Sequence, residues 1–277
     1  MSNDVAYPLL FGAVFHEGKA AFYKSGGDLE YALDYMNDEL AAVAEMFSMP
    51  VELEVARWKL PTLLSEWAEQ HGYLDLKAWE VIAVEKSVSA TIPGSEHVLT
   101  GRVDLIAKLR STDEYYIIDT KTSSFSIATA EMAAHYGDQA TAYIWLVREA
   151  LGIPVKGFIV DIAYWNKKSN DIKNISFSRG NIVQRSEQSI REFLVGARQL
   201  NDEIAAKLEA LKGGADPSVF RRNTHYCSAF FKKCEYADIC RKNVSTKGRA
   251  PQGFARDKAV KPYRFDQAIY DSSEGML

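Results

Sequence analysis

The stretch from Val98 to Thr122 constrains the fold of this 277-residue chain more than any other. Two apolar runs, Val98 to Leu109 and Tyr115 to Thr120, flank Ser111-Thr112-Asp113, a cluster of small polar residues that favours a tight turn. They read as an antiparallel hairpin. Side chains alternate along a strand, so in Asp119-Thr120-Lys121 the acid and the lysine share one face while Thr120 turns away. Asp104 and Asp119 then sit at the ends of adjacent strands, each behind apolar residues (Val103; Tyr116, Ile117, Ile118) that belong to an interior sheet. An isolated D-x-K is common and reads as an exposed ion pair at a strand end. Here the charges hang from the core, where unpaired charge is costly, and that context favours a functional role.

The flanks extend this hairpin into a larger architecture. Gly12 to Lys24 and Tyr31 to Met46 have helical spacing, and the first eighty residues read as mainly helical. From Glu80 the pattern changes to alternation: Val81 to Val84, then Val88 to Ile92, with Pro93-Gly94-Ser95 as a turn, giving three consecutive antiparallel strands. Residues 130 to 151 predict one helix that stops at Leu151-Gly152, with Pro154 just beyond. Val155 to Tyr164 and Ile172 to Phe177 predict strands, and Val183 to Leu211 predicts one long helix closed by Gly213-Gly214. The expected class is α/β, a mixed central sheet flanked by helices. We expect one domain over 1–277, with a helical subregion over 1–78, a core over 79–212 and a C-terminal arm over 213–277.

A hydrophobic content of 47% suffices for such a core. No apolar run approaches the roughly 18 to 20 residues of a membrane span, and no basic-then-apolar leader opens the chain, so a soluble, cytoplasmic protein is expected without a membrane partner. The net charge of −4 hides an uneven distribution. Residues 1–100 carry six Lys and Arg against sixteen Asp and Glu, whereas residues 212–264 carry thirteen against four. The basic C-terminal quarter reads as a solvated tail unless the chain needs a polyanion.

Hydrolysis of a phosphodiester needs an activated water and neutralisation of developing negative charge. A hard divalent cation held by carboxylates supplies both, and an ammonium beside it orients the water or takes its proton. Asp104, Asp119 and Lys121 are the groups such a site requires.

The order of motifs resembles the RecB-like branch of the PD-(D/E)xK nucleases over most of the chain: G-x-x-x-H at Gly12 and His16, G-x-x-D at Gly101 and Asp104, D-x-K at Asp119 and Lys121, and Q-x-x-x-Y at Gln139 and Tyr143. The resemblance implies a restriction-endonuclease-like core in which His16, Asp104 and Asp119 coordinate the metal with the Thr120 carbonyl, and Lys121 is the catalytic lysine. Imidazole is softer than carboxylate and favours Mn²⁺ over Mg²⁺, so both metals are expected. Gln139 and Tyr143, one helical turn apart, share a face that could meet the DNA backbone or a splayed base. Glu85 occupies a position often acidic in this family and is expected to be a supporting or structural acid.

Cys227, Cys234 and Cys240 resemble the C-terminal cysteine triplet of iron–sulfur members of the branch, which close a 4Fe-4S cluster with a fourth cysteine. This chain has three cysteines in all. His225 or an external ligand could complete a cluster, zinc could bind instead, or three reduced thiols could pack as small hydrophobes. Neighbouring Arg221, Arg222, Lys232, Lys233, Arg241 and Lys242 would then line a DNA path. The activity implied is exonucleolytic hydrolysis of DNA ends or single strands in recombination, repair or phage DNA processing, alone or within a recombination or replication complex. A catalytically silent DNA-binding or assembly subunit and a nuclease acting on RNA are the alternatives. No G-x-x-x-x-G-K-[ST] stretch occurs, so the chain itself does not couple cutting to ATP.

Overall fold

The computed structural model describes residues 7–46, 50–123, 126–165, 175–216 and 219–220. Residues 5–213 form one compact unit, and residues 1–4 with 214–277 form a second. In the second, the described part is a single turn in which the Val219 N–H donates to the Asp216 carbonyl at 3.1 Å.

The larger unit begins with helices α1 (Tyr7–Lys24), α2 (Leu29–Met46), α3 (Pro50–Trp67) and α4 (Tyr73–Ala78), a π-helical turn over Ala68–Gly72 joining the last two. Strands β1 (Trp79–Thr91), β2 (Val98–Leu109) and β3 (Glu114–Ser123) follow, then α5 (Ile127–Tyr136), α6 (Asp138–Leu151), β4 (Val155–Trp165), β5 (Ile175–Arg179) and α7 (Glu187–Lys212). The five strands lie in sequence order across one sheet. Neighbours are antiparallel except β3 and β4, which run parallel because α5 and α6 carry the chain back across the sheet.

The sheet separates two cores. On one face, Phe11, Phe15 and Phe22 of α1 and Leu64 and Trp67 of α3 pack against Leu105, Ile118 and Ile159. On the other, Ile144 and Val147 of α6 and Ile190 of α7 pack against Val103, Ile106, Ile117 and Val160. Central strands covered on both faces need near-continuous apolar runs, which Tyr116–Ile118 and Phe158–Val160 provide. The mixed sheet, its flanking helices and the helical N-terminal part are as the sequence predicts. Among the described residues, no helix is long and apolar enough to cross a membrane.

Two helices differ from expectation. The helix predicted over 130 to 151 is two helices broken at Gly137. Arg185 donates to the carbonyls of His135 (2.6 Å) and Gly137 (3.4 Å) and to Thr141 Oγ1 (2.8 Å), a tertiary clamp that local periodicity cannot report. The first strand is β1, as expected, running through Val81–Val84 and Val88–Thr91 with Glu85 in its interior at φ 52°. The last helix starts at Glu187 rather than Val183, because Val183 pairs with Phe158 in a β-bridge and Ser186 caps α7 by accepting from the Ser189 N–H at 3.1 Å.

Candidate metal centre

Four elements bring titratable side chains to one place: α1 carries His16, β1 Glu85, β2 Asp104, and β3 Asp119 and Lys121. Glu85 lies in the left-handed backbone region, which costs a residue with a Cβ about 1–2 kcal/mol. The β1–β2 ladder pairs Val84 with Leu105 and Lys86 with Val103, so Glu85 stands across from Asp104. Val103 packs in one core and Leu105 in the other, so the two-residue alternation of β2 breaks at Asp104. With both strands distorted at the same level, His16, Glu85 and Asp104 each offer a donor atom within 4.8 Å of the others.

Asp104 Oδ2 accepts from the Thr120 N–H at 2.7 Å and lies 3.2 Å from His16 Nδ1. Asp119, 1% exposed, accepts from Gln139 Nε2 at 3.0 Å through Oδ1 and lies 2.7 Å from Lys121 Nζ through Oδ2. Among the described residues, Glu85 Oε2 and Asp119 Oδ2 are buried with no well-oriented hydrogen bond, although Arg102 Nε and Lys121 Nζ each stand 2.7 Å away. Two carboxylates and an imidazole whose donor atoms lie this close suit a divalent cation. Of the residues singled out in the sequence, His16, Glu85 and Asp104 form the three-donor group, which does not include Asp119; Thr120 meets it through its N–H to Asp104, while Lys121 and Gln139 gather on Asp119, with Tyr143 one turn beyond Gln139 on α6. Arg221, Arg222, Cys227, Cys234 and Cys240, with their neighbours His225, Lys232, Lys233, Arg241 and Lys242, lie outside the described residues.

The two motif glycines are close-approach positions. A Cβ on Gly12 would come within 2.9 Å of Thr122 Oγ1, and one on Gly101 within 2.9 Å of Tyr143 Cε1. Gly12 therefore lets α1 lie on β3 near Asp119, and Gly101 lets α6 lie on β2 near Asp104.

Sequence reasoning missed the buried network behind the site. Lys19, one turn after His16, donates to Thr120 Oγ1 at 2.8 Å and to Asp161 Oδ2 at 2.6 Å. Trp67 Nε1 also donates to Asp161, at 3.0 Å, and Lys19 Nζ sits 4.3 Å from the Trp67 ring centroid. Arg179 approaches Asp161 at 3.3 Å and pairs with Asp75, which accepts from Tyr23 Oη at 2.6 Å. Alternate residues of β3 thus serve opposite faces, Asp119 and Lys121 toward α6 and Thr120 toward α1. The signal was present in Ile159-Val160-Asp161-Ile162: an acid inside an apolar strand needs a buried partner.

Electrostatics follow from these contacts. Burial and the nearby Asp104 charge push Asp119 up to about 6 and Glu85 up to about 7. Burial alone would raise Asp104, but His16 and the Thr120 N–H outweigh it and hold that carboxyl below its ordinary value. Burial would lower His16, yet Asp104 outweighs it and the imidazole titrates above its usual range. Lys121 is likewise raised: partial burial disfavours its charge, and Asp119 more than compensates. Asp161 is held well below the carboxylate range, because Lys19 and Arg179 overcome its burial.

The sequence profile of the PD-(D/E)XK nuclease superfamily matches residues 2–241. The chain belongs to that superfamily. PD-(D/E)XK nucleases use divalent metals, and His16, Glu85 and Asp104 form a candidate site for one. No curated protein matches the chain. Among solved structures, that of SSO0001 is similar at 17% identity over 72% of this chain and 77% of that one, with a TM-score of 0.27.

Proposed function

We propose that this PD-(D/E)XK protein is a metal-dependent deoxyribonuclease of the RecB-like branch, an exonuclease acting on DNA ends or single strands in recombination, repair or phage DNA processing. The observation that carries the reading is the meeting of His16, Glu85 and Asp104 donors within 4.8 Å of one another, beside a buried Asp119 paired with Lys121. His16, Asp104 and Asp119 would hold the ion with the Thr120 carbonyl, and Glu85, grouped with His16 and Asp104, would face it. A bound Mg²⁺ or Mn²⁺ supplies a Lewis acid that lowers the proton affinity of water and offsets charge developing on the phosphate.

The protein's own groups do the positioning. Lys121, kept protonated by Asp119, donates to the phosphate oxygen or to the attacking water rather than accepting a proton. Gln139 directs its amide donor at Asp119 and fixes the orientation of that carboxylate, a positioning role. Tyr143, packed against Gly101, buttresses β2 beneath Asp104. Water adds to phosphorus as the leaving oxygen departs and takes up a proton, with no covalent link to the chain.

End-labelled single-stranded DNA, duplex DNA and RNA incubated with Mn²⁺ or Mg²⁺ test the reading. Wild type is expected to shorten the DNA strands from their ends, with Asp119→Ala and Lys121→Ala slower by at least about a hundredfold. Variants that cut like wild type defeat the proposed roles, and a wild type that binds but never cuts points to a silent subunit.

A further inference from the structure

A cavity of about 260 Å³ opens between α5, strand β4 and the segment that follows β5, lined by Met132, His135 and Tyr136 on the helix and by Val160, Asn181 and Val183 opposite. Val160 and Val183 are buried at 2% and 3% exposure and form its floor, while Met132 and Tyr136, 61% and 77% exposed, stand at its mouth. Large apolar side chains left this exposed beside a concavity mark a surface that receives something.

Its location decides what. Val160 is the register partner of Asp119 in the parallel β3–β4 ladder, and such partners project from the same face on strands about 4.8 Å apart. Tyr136 ends α5 three residues before Gln139, whose amide holds Asp119. The cavity therefore begins one strand away from the catalytic carboxylate. Arg185 anchors the His135 carbonyl at 2.6 Å, and the His135 and Tyr136 rings meet edge-on with centroids 4.8 Å apart, so the aromatic rim is held in place. Glu131, which accepts from Ser178 Oγ at 2.9 Å, and Asn181 add an acceptor and an amide to the otherwise apolar lining.

We propose that this cavity binds one unpaired nucleobase of the substrate strand, that of a nucleotide next to the cleaved phosphodiester, stacked on Tyr136 and edged by Asn181 and Glu131. The proposal rests on the nuclease reading and deepens it, since it names where a base of the substrate strand is held. Tyr136 offers one exposed ring for stacking, and a duplex hides each base against its partner. A strand whose phosphate lies at Asp119 would bring the adjacent base to α5.

The full chain in EDTA, with short single-stranded deoxyoligonucleotides carrying 2-aminopurine or an abasic residue at successive positions, gives the test. Tyr136→Ala removes the stacking ring and Ala128→Trp fills the cavity from an exposed position of α5. Each is expected to weaken binding about tenfold. An abasic residue at one position should weaken wild-type binding by a similar factor and leave both variants no weaker than before, and 2-aminopurine at that position should change emission with wild type only. With Mn²⁺ added, KM should take the change while kcat stays within about twofold. Unchanged affinity in both variants, an abasic penalty that persists in full in both, or a wild type that does not bind single strands overturns the cavity proposal. Binding that behaves as expected without cleavage under any divalent ion overturns the nuclease reading and leaves the cavity standing.

Discussion

Asp119 and Glu85 lose their protons near pH 6 and pH 7, and His16 also titrates above its usual value. Metal binding takes the deprotonated forms, so protons compete with the ion below these values. Mn²⁺ affinity is expected to rise steeply between about pH 5.5 and pH 8 in titration calorimetry, and a flat profile would count against the proposed ligands. Glu85 makes a second prediction. Its left-handed backbone suits glycine, so Glu85→Gly should leave metal-free stability unchanged or raise it by up to about 1 kcal/mol in denaturant unfolding, while Mn²⁺ binding weakens. Asp104, Asp119 and Lys121 were legible because strand alternation and apolar flanks place them on a core sheet, where charge is costly. The conformation of Glu85 was not, since no local pattern marks it.

At the scale of elements, α1 reaches the sheet through the Lys19 bridge, whose two ends, Lys19 and Asp161, are 142 residues apart. Lys19→Met leaves the Asp161 carboxylate short of a buried partner and should cost about 3–5 kcal/mol in denaturant unfolding, with weakened Mn²⁺ binding as His16 loses its tether. Because Asp161 titrates far below its unfolded value, this contribution is complete above the ordinary carboxylate range and is lost only as pH falls through the folded value. The penalty at pH 7 should therefore persist at pH 5. Arg185→Ala, which frees the junction of α5 and α6, is expected to cost about 1–3 kcal/mol and to slow cleavage through Gln139. Hydrophobic period revealed most of these elements but not the break at Gly137, which a side chain 48 residues away holds. The Lys19–Asp161 pairing was equally hidden, because sequence separation carries no record of tertiary partners.

Across the whole molecule, every residue proposed to hold the ion lies within residues 5–213, which form one compact unit. A fragment of those residues should unfold cooperatively and bind Mn²⁺ as the full chain does. It lacks almost all of the basic block over 212–264, so its DNA affinity should fall and depend less on salt, by about 0.7 to 0.9 in log–log slope for each phosphate that is no longer neutralised. Equal slopes for fragment and full chain would remove Arg221 and Arg222 from the DNA path. The two-faced strand β3 sets a limit on portability. Transplanting the hairpin of residues 98–123 into another scaffold would move both carboxylates and the ammonium, yet leave behind the imidazole and the lysine bolt that seats it 101 positions upstream of Thr120. Glu85 stays behind on β1 and Asp161 on β4 as well, so the smallest unit of this chemistry that selection or a designer can move intact is α1 together with strands β1 to β4.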